Sequence, residues 1–322
     1  MKKARIGVVG TGHLGNLHTK MFSQIPNAEL VGVFDSDAAK ADAVASEHRT
    51  RSFPSLGELL DSVEAISIAT TTTTHFDVAR QALGRGIHTF IEKPITETID
   101  QARSLVELAE KQRVSLQVGH IERFNPAILA LEQYHIKPLF IESHRLAQFI
   151  PRGSDVAVVL DLMIHDIDLI LSLVRSPVVR VDANGVSVVS GSEDIANARL
   201  QFENGCVANV TASRISQNKM RKMRLFQKNA YITIDFQEKQ TEIYELGDPT
   251  SESDLLLGEM GIGEKKQKVF LKRPEIPDHN ALLVELETFI KTIQGQSDSG
   301  VSGESARKAL SVAIEILNQM VQ

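Results

Sequence analysis

Residues 5–22 read RIGVVGTGHLGNLHTKMF, and this stretch decides the fold of the first part of the chain. A short apolar run precedes three glycines in GxGxxG spacing, and a segment with helical periodicity follows them. In a strand–turn–helix unit the first glycine permits a tight turn, the second lets a pyrophosphate approach the backbone, and the third allows close helix–strand packing. The N–H groups at the start of the helix then favour phosphate. We therefore expect a dinucleotide site contacted by Gly10, Gly12, His13, Leu14 and Gly15.

An acidic residue follows at the distance that such a site requires. The second apolar run ends in VFDSD, where Asp35 lies twenty positions after Gly15. A carboxylate there accepts the ribose hydroxyls of NAD and repels the 2'-phosphate of NADP. The next residues, Ser36 and Asp37, bring no positive charge to offset that repulsion. The pattern favours NAD over NADP, and the competing interpretation is a glycine turn followed by an incidental acid.

Apolar runs and amphipathic stretches alternate up to Gly119 and change in character after Pro138. The early runs are nearly continuous and β-branched, which predicts a parallel sheet covered by helices on both faces. The later runs alternate with period two and include Asn204-Gly205, a strong hairpin signal. Helical patterns lie near 160–174, 279–293 and 303–320. We expect an α/β protein with a Rossmann dinucleotide-binding domain over residues 1–120. An α/β domain with a large, mainly antiparallel open sheet should then occupy residues 121–322.

The stretch ATTTTTHF, residues 69–76, follows a predicted strand of the first domain. Ligands of parallel α/β sheets collect at the carboxyl ends of the strands. We therefore expect Ala69, Thr70 and His75 to contact the cofactor. Helix capping by the threonine hydroxyls is an alternative.

The stretch FIEKP, residues 90–94, ends the next predicted strand. Pro94 keeps Lys93 out of the helical region, which should hold the ammonium at the edge of the sheet. An ammonium there stabilises negative charge that grows on a substrate oxygen. We expect Glu92 and Lys93 to contact the cofactor and Lys93 also to contact the substrate. The alternative is a solvated Lys-Pro turn.

Residues 160–174 read LDLMIHDIDLILSLV, an apolar helical run that carries four ionisable residues. Residues four and seven apart share a helix face, so Asp161, His165 and Asp168 should form one stripe. An unpaired ionisable group among leucines is costly, so the stripe is either partnered or faces a cleft. We expect structural roles for Asp166 and Asp168, and a metal site built from Asp161, His165 and Asp168 is a further alternative.

The motifs GVVGTGHLG, EKP and D-x-x-x-H occur in an order and at separations that resemble the glucose–fructose oxidoreductase/inositol dehydrogenase (Gfo/Idh/MocA) family. The resemblance implies a nucleotide-binding domain followed by an α/β domain whose open sheet lines the substrate cleft and often forms the subunit interface. It implies that Lys93, Asp161 and His165 are the catalytic residues and that no metal is needed. A histidine with an ordinary pKa of about 6.5 suits proton transfer near neutrality.

Two further stretches, GHIERFNPAILAL and the segment from Glu142 to the 160–174 helix, resemble one branch of this family. That branch oxidises the 3-hydroxyl of UDP-N-acetylglucosamine. The resemblance implies that His120, Arg123, Asn125 and Arg152 lie near the sugar or the diphosphate, which the planar guanidinium recognises well. Asp161 and His165 would contact the same substrate. A helix-start ion pair and cap are alternatives for Arg123 and Asn125.

Composition limits the classes of partner. The 322-residue chain has a formal net charge of −6, which argues against nucleic acid and anionic membranes as main partners. The one cysteine, Cys206, suits a reducing compartment, and no segment approaches the roughly 20 apolar residues of a membrane span. We expect a cytoplasmic protein. For the basic run at residues 219–228, a solvated sheet face is favoured over a diphosphate or interface patch.

Three functions compete. The first is NAD-dependent oxidation of a secondary hydroxyl of a nucleotide sugar, and the second is the same reaction on a free polyol, inositol or simple sugar. The third is an NAD-binding regulator without turnover, which would have no need of Lys93 and His165 together. Because the open sheet of the second domain needs its outer face covered, we also expect a homodimer or homotetramer through that sheet.

Overall fold

The computed structural model describes residues 2–150, 156–249, 251, 253–297 and 300–320, with backbone alone at position 264. These residues form two compact units. The first consists of Met1–Phe124 with His279–Leu310, and the second of Asn125–Asp278 with Ser311–Gln322.

The first unit is built on a six-stranded parallel sheet in the order β3-β2-β1-β4-β5-β6. The order reverses between β1 and β4, and ligands of such sheets bind in the crevice at this reversal. The central strands are buried, because helices cover both faces. The strands are β1 (Ala4–Val9), β2 (Ala28–Phe34), β3 (Arg51–Ser52), β4 (Ala65–Ile68), β5 (His88–Glu92) and β6 (Leu116–Gly119).

Several helices of the first unit begin at side chains that accept hydrogen bonds from the first turn. Asp37 accepts from the N–H groups of Ala39 and Lys40, and Thr98 forms a reciprocal capping box with Gln101. Because all six strands run parallel, their carboxyl ends lie at the same edge of the sheet. The helices are α1 (His13–Phe22), α2 (Ala38–Glu47), α3 (Leu56–Ser62), α4 (Thr72–Gly84) and α5 (Ile99–Gln112).

The second unit is built on a nine-stranded sheet in the order β14-β15-β13-β12-β11-β7-β10-β9-β8. Among the described strands of this second sheet, only β7 and β10 pair in parallel. Gly205, with φ of +86°, makes the expected hairpin between β9 and β10. The strands are β7 (Phe140–Leu146), β8 (Val178–Val186), β9 (Ile195–Phe202), β10 (Val207–Ser213), β11 (Met220–Gln227), β12 (Ala230–Asp235), β13 (Gln240–Leu246), β14 (Leu255–Met260) and β15 (Gln267–Lys272).

One face of the second sheet is packed and the other is partly exposed. Alternate residues of β7, β9 and β10 are buried, and α7 (Ile164–Val174) packs on β7 and β10 from that side. The short helix α6 (Pro126–Leu129) packs against β12 and β13. Four aromatic side chains form a continuous row across the partly exposed face, with neighbouring ring centroids 4.8–5.8 Å apart: Phe140, Phe226, Tyr231 and Tyr244.

The helix α8 (Ala281–Ile293) belongs to the first unit. Its residues Leu286, Phe289 and Ile290 are buried in the same core as the strand residues of the first sheet, and the rings of Phe289 and Phe90 lie 5.7 Å apart. Sequence order alone suggested an uninterrupted second domain over residues 121–322. The structure differs because the apolar face of α8 finds its partners in the core of the first unit.

The last helix, α9 (Gly303–Met320), runs from residues of the first unit to residues of the second. None of the helices in the described part of the chain combines the length and the hydropathy that a membrane crossing requires.

Candidate cofactor and active site

The glycine-rich turn joins β1 to α1 as the spacing predicts. Gly10 has a φ of +88°, and a Cβ there would lie 2.8 Å from the carbonyl oxygen of Ala69. A Cβ on Gly15 would lie 1.8 Å from the carbonyl oxygen of Gly10. Both positions therefore exclude any larger side chain, one because of backbone conformation and the other because of close packing.

Gly12 differs from its two neighbours in the motif. A Cβ at Gly12 would meet no heavy atom of the described residues within 4 Å. Gly12, His13 and Leu14 are all exposed at the start of α1, where the first N–H groups of a helix have no acceptor within the helix. This open space beside a helix amino terminus fits a pyrophosphate group.

The carboxylate of Asp35 lies at the end of β2 and is held by the same turn. It accepts hydrogen bonds from the backbone N–H and the hydroxyl of Thr11 at 2.6 and 3.0 Å, and from the N–H of Asp37 at 2.9 Å. Burial alone would raise the pKa of Asp35, but these donors and the charge of Lys40 keep it below the ordinary value. Asp35 is therefore ionised at neutral pH. The ammonium of Lys40 lies 3.3 Å from Asp37, so a positive charge is present nearby that the adjacent residues did not reveal.

Ala69 and Thr70 follow β4 beside the glycine turn, and the N–H of Ala69 donates to Val9 at 2.8 Å. His75 is buried, with Nδ1 2.9 Å from the carbonyl oxygen of Pro94 and Nε2 3.2 Å from that of Thr70. Burial lowers the pKa of His75, and the two carbonyls raise it in part. Both ring nitrogens thus face protein carbonyls, and His75 links the segments that follow β4 and β5.

Glu92 and Lys93 lie at the carboxyl end of β5, and the Lys93–Pro94 peptide bond is cis. Lys93 is partly exposed, whereas the Glu92 carboxylate lies inside the protein, 2.9 Å from Nε2 of the fully buried His18. Sequence reasoning did not anticipate His18. The available signal was its position three residues after Gly15 on α1, which places it on the helix face that packs against the sheet.

The residues after β6 form a short 3₁₀ turn, Ile121–Phe124. His120 is buried and Arg123 is partly exposed. The side chain of Asn125 caps α6: its Oδ1 accepts from the N–H of Ala127 at 3.1 Å, and its Nδ2 donates to Phe236 at 3.2 Å. The cap expected as the alternative role of Asn125 is present. Arg152, expected to contact the substrate, lies outside the described residues.

The helix expected over residues 160–174 is present, but it begins with a π-helical turn, Val159–Met163, before α7. Such turns occur frequently at functional sites. Val159 and Met163 are buried in this segment, whereas Asp161 and His165 are partly exposed. Asp161 and His165, which are catalytic by the family resemblance, thus lie on the accessible side of a mainly apolar helical segment.

Asp166 has the structural role expected of it. Its carboxylate accepts hydrogen bonds from Nε and Nη2 of Arg145 at 2.7 and 3.3 Å, and from the hydroxyl of Ser143 at 3.0 Å. All three side chains are buried. Successive residues of an α-helix are about 100° apart, so anchoring Asp166 to β7 also fixes the direction of His165. Asp168 is buried as well.

Two contacts hold the segment that leads into the π turn. The guanidinium of Arg214 donates to the carbonyl oxygen of Val156, and the N–H of Val158 donates to Glu193 at 3.2 Å. Both partners are distant in sequence, so local pattern gave no sign of them.

Within the described ranges, no three His, Cys, Asp or Glu side chains converge as metal ligands would. The basic run near residues 219–228 forms β11, where Lys222 pairs with Asp235 at 3.0 Å and Arg224 with Glu142 at 3.4 Å. Ion pairs of this kind between neighbouring strands are typical of a solvated sheet face.

Comparison with known protein families matches residues 4–120 to the GFO/IDH/MocA oxidoreductase family with an NAD-binding Rossmann fold. Residues 142–233 match the C-terminal domain of the same family. The chain belongs to the GFO/IDH/MocA family of NAD-binding oxidoreductases, as the three motifs indicated.

Particular relatives cover almost the whole chain. The UDP-N-acetylglucosamine 3-dehydrogenase of Acidithiobacillus ferrooxidans is 38% identical over 313 residues, which are 97% of this chain and 96% of that protein. A solved structure of that dehydrogenase covers 99% of this chain and 98% of its own, with a TM-score of 0.90. The scyllo-inositol 2-dehydrogenase (NAD⁺) of Bacillus subtilis is 28% identical over 66% of this chain and 68% of its own length.

Proposed function

We propose that this protein oxidises the 3-hydroxyl of UDP-N-acetylglucosamine, or of a similar nucleotide sugar, with NAD as the hydride acceptor. The observation that carries the proposal is the 38% identity to a UDP-N-acetylglucosamine 3-dehydrogenase over 97% of the chain, with a TM-score of 0.90 for its structure. Similarity over both units, rather than over the nucleotide-binding unit alone, is what favours a nucleotide sugar.

Residues of the first unit would hold the dinucleotide. The open space at Gly12 and the amino terminus of α1 suit the pyrophosphate, and the ionised Asp35 suits the ribose hydroxyls. The same carboxylate supports the proposed preference for NAD over NADP, because a 2'-phosphate would meet a negative charge. NAD, when bound, supplies the hydride acceptor. We propose that the ring nitrogens of His75 hold the carbonyl groups of Thr70 and Pro94 and do not contact the cofactor themselves.

The chemical roles follow from residue types and accessibility. His165 is assigned the removal of the hydroxyl proton, which a partly exposed imidazole performs near neutral pH. Asp161, one helical turn earlier, is assigned to orient the substrate or the imidazole. Lys93 is assigned to stabilise the negative charge that grows on the same oxygen. His120 and Arg123 are proposed to contact the sugar or the diphosphate, and Arg152 keeps the role expected from the sequence.

We propose that two or four copies assemble through the partly exposed face of the second sheet. The aromatic row of Phe140, Phe226, Tyr231 and Tyr244 supports this, because large rings at a covered sheet face bury much apolar area. Light scattering across micromolar concentrations tests it, and a monomer at every concentration would contradict it. The cytoplasmic location stays a prediction from the sequence.

The reaction is tested by mixing the protein and NAD with a panel of UDP-N-acetylglucosamine, UDP-glucose, myo-inositol and glucose, and following NADH fluorescence. We expect UDP-N-acetylglucosamine to give the highest kcat/KM. Reduction of the product with borodeuteride, followed by mass spectrometry, should locate the label at carbon 3. Oxidation of myo-inositol alone would support the second candidate, which the similarity to scyllo-inositol 2-dehydrogenase favours.

A further inference from the structure

A buried chain of polar groups leads from Ser67 on β4 to Lys93. The hydroxyl oxygen of Ser67 lies 2.7 Å from Nδ1 of His18, and Nε2 of His18 lies 2.9 Å from Oε1 of Glu92. The other carboxylate oxygen of Glu92 accepts the backbone N–H of Lys93 at 3.3 Å. The chain thus links three secondary-structure elements: β4 through Ser67, α1 through His18 and β5 through Glu92.

The carboxylate of Glu92 is also confined from the next strand. A Cβ at Gly119, on β6, would lie 2.9 Å from Oε1 and 3.0 Å from Oε2 of Glu92. Gly119 therefore leaves the space that the carboxylate occupies, and the strand backbone prevents movement in that direction. The edge of the Phe90 ring against His18, with centroids 5.7 Å apart, restrains the imidazole as well.

The carboxylate carries a negative charge next to Lys93. Burial would raise the pKa of Glu92, but the close contact with His18, followed by the charge and N–H of Lys93, keeps this pKa below its ordinary value. A buried carboxylate that stays ionised attracts the nearby ammonium and orients it.

Serine, histidine and an acid in this order are also the residue types of a nucleophilic triad. Ser67 and the imidazole of His18 have no exposed surface, however, so a substrate has no access to the hydroxyl. The three residues are therefore suited to holding a neighbouring group in position rather than to attacking a substrate.

We propose that His18 and Glu92 are positioning residues for Lys93: His18 fixes the Glu92 carboxylate, and the carboxylate fixes the backbone and the charge of Lys93. This inference rests on the proposed role of Lys93 in the proposed function. The Ser67 hydroxyl holds the imidazole of His18, and the absence of a side chain at Gly119 leaves room for the Glu92 carboxylate.

A double-mutant cycle on the full-length protein tests whether Glu92 acts through Lys93. NADH production from UDP-N-acetylglucosamine gives kcat and KM for Glu92→Gln, Lys93→Ala and the double variant. We expect Glu92→Gln to lower kcat about 10- to 100-fold with little change in KM, because a small misplacement of a catalytic group has an effect of this size. In the Lys93→Ala protein, the same substitution should lower kcat less than about twofold.

Glu64→Gln is the matched control. Glu64 is also a carboxylate of the first unit that accepts a backbone N–H, that of Arg5 at 3.1 Å, but it lies at the amino end of the sheet. We expect its kcat to be unchanged. Multiplicative losses from Glu92→Gln and Lys93→Ala would overturn the positioning role while leaving the proposed function intact. Full turnover by Lys93→Ala alone would instead contradict the proposed function.

A second variant separates positioning from fold stability if Glu92→Gln folds poorly. His18→Leu combined with Glu92→Met replaces the buried pair by apolar side chains of similar size, which often preserves stability. We expect thermal unfolding near that of the unmodified protein, with kcat still reduced about 10-fold or more. If this double variant had both the kcat and the thermal stability of the unmodified protein, the His18–Glu92 pair would have only a structural role.

Discussion

The carboxylate of Asp35 accepts two hydrogen bonds from Thr11, one from the backbone N–H at 2.6 Å and one from the hydroxyl at 3.0 Å. The glycine-rich turn and the end of β2 are therefore joined through one charged group. Any change at Asp35 alters both the charge that a ribose meets and the anchoring of the turn.

Cofactor preference should follow that charge. Asp35→Ser combined with Ser36→Arg should narrow or reverse the preference for NAD over NADP, because the repulsion of a 2'-phosphate is replaced by attraction. Asp35→Asn is the matched control, since an amide oxygen can still accept from Thr11 while the charge is lost. Fluorescence titration with both cofactors measures the effect, and an unmodified protein that binds NADP more tightly would contradict the assignment.

Gly12→Ala should weaken NAD binding without disturbing the fold. The added methyl group occupies the space that we assign to the pyrophosphate, and we expect a loss of about tenfold in affinity, equivalent to about 1.4 kcal/mol. Gly84→Ala is the control, because a Cβ there also meets no described atom within 4 Å, but at the end of α4. It should leave NAD affinity unchanged and stabilise the helix by up to about 1 kcal/mol. Equal NAD affinity in both variants would argue against the site.

His165→Ala should lower turnover by roughly 10²- to 10⁴-fold while NAD affinity stays nearly unchanged, as expected for a positioned acid–base group. Asp168→Asn should alter stability more than turnover, because Asp168 is buried. Steady-state kinetics with and without a chelator measure both variants. Full activity of His165→Ala, or activity lost on adding the chelator, would contradict the assigned role.

Asp166→Asn should destabilise the protein by about 3–5 kcal/mol, since it breaks the buried ion pair between the Asp166 carboxylate and the guanidinium of Arg145. Asp182→Asn breaks the exposed pair with Arg180 and should cost less than about 1 kcal/mol. Urea unfolding of the two variants compares them directly. If both variants lost less than about 1 kcal/mol of unfolding free energy, the Asp166–Arg145 pair would contribute little to stability.

Asp194 should make stability depend on acid pH. Its carboxylate accepts the N–H groups of Val188, Val189 and Ser190 at 2.7–3.0 Å, and these bonds outweigh burial and lower its pKa. A lowered pKa stabilises the fold above the unfolded value of 3.8, and this contribution is lost as the pH falls below it. The difference in unfolding free energy between the unmodified protein and Asp194→Asn should therefore be constant above about pH 5 and shrink as the pH falls from about 4 to about 2. A difference that stays constant over the whole range would contradict this.

Local sequence pattern predicted the features that depend on near neighbours. The glycine spacing, the parallel strands and the Asn204-Gly205 hairpin each follow from residues close together in the chain. The pairing of His18 with Glu92, and of Arg145 with Asp166, joins residues far apart in sequence, so no local period reports it. The π turn before α7 was also not predictable, because one extra residue in a helical turn leaves the apolar pattern almost unchanged.

The position of α8 has a consequence for biosynthesis. Leu286, Phe289 and Ile290 complete the core around β1 and β5, although the strands of that sheet are all made before residue 120. While the ribosome is still adding the second sheet, the nucleotide-binding unit therefore exposes the apolar surface that α8 will cover. Its final packing is delayed until nearly the whole chain has emerged, which reverses the usual order in which the amino-terminal domain finishes folding first.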